Sequence, residues 1–235
     1  MTIINYRAII FQSRAITDAY SAGDEIGNKE DKVVGNYSIV TIEREYASGG
    51  KEIGQKVADA LQIPLYNNEI VSMAAQKLHV DPEYVAHIEE QMTGSMLFNL
   101  AMSATSQLGI GTGRSVSDQL FRAECEVIQN FAQQGSCVIV GRCADHVLRN
   151  RKDCLNVFIY ADLKTRKERA IRQYGVDPSY VESTIKKNDK RRSAYYNVNT
   201  SLAWGKKEFY DLCLNSGQLG VDSCVSAILT LFQGT

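Results

Sequence analysis

The stretch Ser38-Ile-Val-Thr-Ile-Glu43, running on into Arg44-Glu-Tyr-Ala-Ser-Gly-Gly-Lys-Glu-Ile-Gly54, decides how this chain is read. A β-branched apolar run gives way to small residues, then a lysine, then an amphipathic helical pattern. Strand, glycine-rich turn and helix start together can hold phosphate. The backbone N–H groups of Ser48, Gly49 and Gly50 can point into one concavity, the helix N-terminus adds partial positive charge, and Lys51 adds a full one. The pattern G-x-x-x-x-G-K-[ST] is met only in part: Gly50-Lys51 is present, but Glu45 stands at the first glycine and Glu52 at the hydroxyl position. Taken alone, the segment reads equally as a phosphate loop or as a plain strand-to-helix turn with an exposed lysine.

Outward from this point, apolar runs and helical patterns alternate. Strands are expected at 37–43, 64–66, 137–140, 155–160 and 211–215, mostly as continuous apolar runs, which suits strands buried on both faces of a parallel sheet. Helices are expected at 52–61, 117–135 (with Leu120, Phe121, Glu124, Val127, Ile128 and Phe131 at helical period), 162–174 before Gly175, and 221–232. This alternation predicts right-handed crossovers and a three-layer α/β domain. Residues 1–36 read as an N-terminal extension or linker ahead of a domain at 37–235, and residues 94–113 as a partly apolar insert.

In such a sheet, ligands bind beyond the carboxyl ends of the strands. The rule gathers residues 44–51, Asn67-Asn-Glu69, Gly141-Arg-Cys-Ala-Asp145 and the arginines of 166–172 into one cleft. Arg142 offers a planar fork of donors suited to phosphate, and Asp145 an acceptor; the bland alternative is an Arg142–Asp145 pair capping a helix. In Lys186-Lys-Asn-Asp-Lys-Arg-Arg192, like charges stack along a helix and repel unless an anion lies between them. A solvated basic face is the other reading.

Composition narrows the class. A formal net charge of −1 disfavours a broadly basic nucleic-acid binder, and 44% hydrophobic residues suffice for a full core. No apolar run approaches the ~20 residues of a membrane span, and the N-terminus lacks a secretory pattern. The six cysteines are scattered without C-x-x-C spacing and the three histidines have no metal-like arrangement, so a reduced, cytoplasmic protein with no metal held by its own side chains is expected.

Five separated segments then carry a resemblance: Glu45-Tyr-Ala-Ser-Gly-Gly-Lys-Glu-Ile-Gly54, Ile63-Pro-Leu-Tyr66, Leu120-Phe-Arg122, Val138-Ile-Val-Gly-Arg-Cys-Ala-Asp145 and Tyr210-Asp-Leu-Cys-Leu-Asn-Ser-Gly-Gln-Leu-Gly-Val-Asp222. In order over residues 38–232, they resemble the cytidylate kinase-like family, relatives of the P-loop nucleoside-monophosphate kinases. The resemblance implies a P-loop kinase fold with five parallel strands, a helical monophosphate-binding insert at about 67–117 and a lid at about 176–197. It implies ATP as donor with Mg2+ bridging its phosphates, and a nucleoside monophosphate, CMP or dCMP, as acceptor. Ser48, Gly49, Gly50 and Lys51 would hold the donor, with Arg191 beside them. Arg122, Arg142 and Asp145 would bind the acceptor. Lys51, Arg169, Asp189 and Arg192 would act on the transferred phosphate. The same fold could instead serve a non-catalytic nucleotide sensor or a kinase of a non-nucleotide small molecule. The departures bear on this choice: Glu45, Glu52 and Ile53 replace two glycines and a threonine of cytidylate kinases, and Cys143 replaces an aspartate. Nucleic acid and membrane are not expected partners, and the oligomeric state is left open.

Overall fold

Five short strands form one parallel sheet in the order β2-β3-β1-β4-β5. They are β1 (Ile39–Arg44), β2 (Leu65–Tyr66), β3 (Cys137–Val140), β4 (Cys154–Tyr160) and β5 (Leu212–Asn215). The structure is a computed structural model and describes residues 37–81 and 116–234. The extension at 1–36 and most of the insert expected at 67–117 lie outside the described residues.

β1 is central because its residues are apolar on both sides: Ile39, Val40 and Ile42 are fully buried. Ile39 pairs with Cys137 of β3 on one side and with Cys154 of β4 on the other. β1 runs to Arg44, opposite Ile159, so the strand delivers its last side chains directly to the cleft. Helices α1 (Gly50–Leu61) and α8 (Val221–Gln233) cover one face, where Ile53, Val57, Val225 and Ile228 meet Val40, Val138, Val157 and Ile159. Each such side chain contributes about 1.5–3 kcal/mol on burial. α2 (Asn68–Leu78) packs on α3 (Val116–Gln134) through Ala74, Ala75, Leu120 and Ala123.

After β3 comes the short α4 (Ala144–Val147), and after β4 comes α5 (Leu163–Tyr174). α5 is capped by Asp162, which accepts from Thr165 N at 3.0 Å, and ends at Gly175 in left-handed conformation. α6 (Val181–Thr200) occupies the expected lid region as one continuous helix, and α7 (Ser216–Leu219) precedes α8. Ala170 of α5 with Val181 and Ile185 of α6 form a small core around Ala47, so apolar contact as well as charge brings α6 to the phosphate loop. No described helix is long and apolar enough to cross a membrane.

Candidate active site

At the carboxyl ends of β1 and β3, against the start of α1, lies a cavity of about 330 Å³. Its glycine-rich wall is built by backbone geometry. Ala47 (φ 59°) and Gly49 (φ 86°) are both left-handed, and Gly49 caps α1 with no side-chain partner for the helix's first N–H groups. Those groups, with the helix dipole, form an anion cradle. A Cβ on Gly49 would sit 2.3 Å from Arg169 Nη1, so Arg169 would have to shift, and the left-handed φ strains any side chain there. Lys51 lies exposed at the rim.

Ser48 departs from expectation. It is fully buried, its hydroxyl donates to Glu45 O at 2.9 Å and Ile159 O at 3.1 Å, and its N–H turns back to Glu45 O at 3.3 Å. Ser48 shapes the loop, while the cradle consists of Gly49, Gly50 and Lys51. Arg169 packs on Gly49 with Nη1 buried and without a hydrogen-bond partner among the described residues. Glu52 points out to Lys56, 3.7 Å away, clear of the cavity.

Beyond β3, Gly141, Arg142 and Cys143 are successively left-handed, with φ of 77°, 60° and 55°. For the two residues with a Cβ this costs about 1–2 kcal/mol each. The run turns Arg142 into the cavity and sends Asp145 behind it. The Arg142 guanidinium pairs with Glu124 Oε1 at 3.1 Å and lies 5.4 Å over the Tyr195 ring, while the Tyr195 hydroxyl donates to Glu124 Oε2. Glu124 is wholly buried on α3. Arg122, two positions earlier, is half-buried and not part of the cavity wall. Asp145 does not line the cavity either. It accepts from the Tyr196 hydroxyl at 2.6 Å, and burial, followed by the charge of Glu43, pushes its carboxyl up to about 7. Its reach to the cavity is through Tyr196.

α6 closes the remaining side. Arg192 Nη1 donates to Arg44 O at 2.8 Å and lies over the Tyr46 ring, and Arg191 reaches the cavity from the exposed face. Burial first, then the charge of Arg44, pulls the Arg192 guanidinium down to about 9. Asp189 accepts from Tyr46 N at 2.7 Å and pairs with Arg166 of α5. The repulsion expected along this helix is spread out by such partners: Lys186 pairs with Glu182 at 2.9 Å and Arg191 with Asn188 at 3.2 Å.

The cavity wall thus carries five cations, Arg44, Lys51, Arg142, Arg191 and Arg192, against the carboxylates of Glu43 and Glu45, an excess that suits a polyanion. Magnesium in such a site is held mainly by the donor's phosphates and water, so no cage of protein carboxylates is required; Glu52 faces away from the cavity, while Glu43 and Glu45 are on its wall. The structure therefore brings together Gly49, Gly50, Lys51, Arg142, Arg191 and Arg192, keeps Asp189 and Asp145 one contact away, and leaves Arg122 off the wall. Glu124, Tyr195 and Tyr196 join the site without being marked as binding residues by any motif, although a carboxylate on the apolar face of α3 is a signal for the first; Arg166, placed at the cleft by the strand-end rule, joins it through Glu45 and Asp189.

Comparison with known proteins bears on the family and the fold. A family model described as the cytidylate kinase-like family matches residues 39–218. Among solved structures, an uncharacterized protein from Eubacterium ventriosum ATCC 27560 is similar at 25% identity and a TM-score of 0.63, covering 84% of this chain and 99% of that one. A shikimate kinase from Acinetobacter baumannii in complex with shikimate is 11% identical with a TM-score of 0.48, covering 85% and 95%. No curated protein matches the chain. With its five-stranded parallel sheet, cationic cavity and a family match over most of its length, the chain belongs to the cytidylate kinase-like family.

Proposed function

We propose that this protein transfers the terminal phosphate of ATP to a nucleoside monophosphate, CMP or dCMP. The observation that carries the reading is the convergence of the α1 N-terminus, Lys51, Arg142, Arg191 and Arg192 on one cavity. Gly49, Gly50 and Lys51 hold the donor's phosphates. Arg142, fixed by Glu124 and Tyr195, receives the acceptor's phosphate, and Arg191 and Arg192 neutralise the charge between the two. A phosphate acceptor attacks with an oxygen that is already anionic, so no protein base or nucleophile is needed. The bond from the terminal phosphorus to its bridging oxygen breaks and ADP leaves. Positioning and charge neutralisation then supply the catalysis. Magnesium arriving with ATP would be held chiefly by the donor's phosphates and would neutralise part of their charge.

The burial of Asp145 favours a second reading. With that carboxylate engaged by Tyr196, the chain loses the group expected to read the acceptor, and a small phosphorylated acceptor with no base would be held as well by Arg142. The test is coupled ADP release over a panel of nucleoside monophosphates and of phosphorylated small molecules. Turnover with CMP or dCMP supports the first reading. Turnover confined to non-nucleotides supports the second, and none with any acceptor in folded protein overturns both.

A further inference from the structure

Glu45 stands where phosphate loops carry glycine, and its carboxylate lines a cavity that should attract polyanions. Asp189 lies beside it through Tyr46. Two carboxylates at this place should repel the donor, yet both are engaged by one side chain. Arg166 is 6% exposed and every donor group of its fork is committed. Nε donates to Tyr46 O at 2.7 Å, Nη1 pairs with Glu45 Oε2 at 3.1 Å, and Nη2 pairs with Asp189 Oδ2. Glu45 Oε2 is held further by Ala161 N at 3.1 Å. Residue 46 is gripped at both polar groups: Arg166 holds its carbonyl and Asp189 its N–H.

We propose that Arg166 is a positioning residue of the phosphate site, one that offsets one of the two negative charges of Glu45 and Asp189 and fastens the loop at Tyr46 to α6. This role rests on the reading of the cavity as the donor-phosphate site. Arg166 does not itself line the cavity; it acts through Glu45, Asp189 and Tyr46. The consequence concerns charge and shape together. With Arg166 present, the acidic residue of the loop counts as neutral toward a ligand and the left-handed turn at Ala47 begins from a fixed peptide. Without it, the two partly buried carboxylates face the incoming phosphates uncompensated.

The test is calorimetric titration of the full chain with ATP and, separately, with inorganic tripolyphosphate. At an effective dielectric of ~20, an uncompensated carboxylate ~10 Å from a phosphate charge costs about 1–2 kcal/mol, which weakens binding on the order of 20-fold. Arg166→Met is therefore expected to bind both probes roughly 20-fold more weakly, and adding Glu45→Gln to it should restore affinity to within about threefold of the natural chain. A merely structural arginine would show no such rescue, because Glu45→Gln rebuilds no contact. Should Arg166→Met fail to fold, Arg166→Lys takes its place: the ammonium keeps the charge but cannot hold Tyr46 O, Glu45 and Asp189 at once, so binding weakens by less than is expected of Arg166→Met and Glu45→Gln again restores it. Unchanged affinity in the Arg166 variant, or no recovery in the double variant, overturns the role while leaving the phosphate site standing. Failure of the natural chain to bind either probe overturns the phosphate site and this role with it.

Discussion

Replacing Asp145 with asparagine would probe the floor of the site through a single proton. Burial and then the charge of Glu43 push this carboxyl from an ordinary 3.8 up to about 7. The folded chain therefore holds the proton more tightly than the unfolded chain. Below about pH 4 both states carry it and the group makes no difference; between about 4 and 7 the unfolded chain releases it first, so stability falls as pH rises; above about 7 the full penalty remains. At about 1.4 kcal/mol for each tenfold change in proton affinity, the loss reaches about 4 kcal/mol by pH 8. The side chain is only 4% exposed, so little of this is screened away. Asparagine keeps an acceptor for the Tyr196 hydroxyl and carries no charge. Asp145→Asn should therefore match the natural chain near pH 4 and exceed it by up to about 4 kcal/mol at pH 8. The neighbouring His146 works in the opposite sense: burial pushes it down to about 4, which makes stability rise with pH below its ordinary 6.5. The natural chain alone would thus show a flattened profile, and only the difference between the two proteins isolates Asp145. Urea unfolding of both at several pH values measures that difference. A gap that stays constant across the range, or an asparagine variant less stable at pH 8, would refute a buried carboxyl charged at a cost.

Lys51→Ala should leave the urea midpoint unchanged, since the side chain is exposed, and weaken ATP binding by about tenfold or more in calorimetry. Arg142→Lys keeps the charge but loses the fork to Glu124 and the acceptor, so acceptor KM should rise about tenfold with donor KM little changed; equal effects on both would mean the two subsites are misassigned. At Ala47, glycine would relieve about 1 kcal/mol of left-handed strain and give up about 0.8 kcal/mol of methyl burial beside Ala170, Val181 and Ile185, leaving stability nearly unchanged. Valine at the same place should cost more than about 2 kcal/mol, measured by the same urea unfolding.

How much of this is legible in the sequence depends on which residues decide it. Continuous apolar runs mark buried parallel strands, and Cys137–Val140 lies where its run predicts. α1 begins at Gly50 rather than Glu52 because a left-handed Gly49 starts the helix, a backbone choice no side-chain pattern displays. The strand-end rule and the basic run together point Lys51, Arg142, Arg191 and Arg192 to one place, and the four line one cavity. The rule cannot foresee where Ser48 or Asp145 turns. Three consecutive left-handed residues at 141–143 change the phase of the residues after them, and phase decides whether a side chain enters the cavity or the core. The inward stripe of α6 is hidden for another reason. Val181, Ile185, Asp189, Arg192, Tyr196 and Thr200 succeed one another at three- and four-residue steps, so apolar and charged groups share one face and no hydrophobic period emerges.

The central position of β1 has a consequence for how the chain is made. Both of its neighbours are encoded about a hundred residues downstream, β3 at Cys137 and β4 at Cys154. At a synthesis rate of about 5–20 residues per second, β1 leaves the ribosome roughly 5–20 s before either partner exists. During that interval its Ile39, Val40 and Ile42 have no sheet to enter, and long-range parallel pairing is slow even once the partners arrive. A fragment ending before Cys137 would carry the whole phosphate loop on a strand with no neighbour on either edge. Such a fragment should aggregate when expressed alone, and the intact protein should depend on chaperones most while β3 is still being translated.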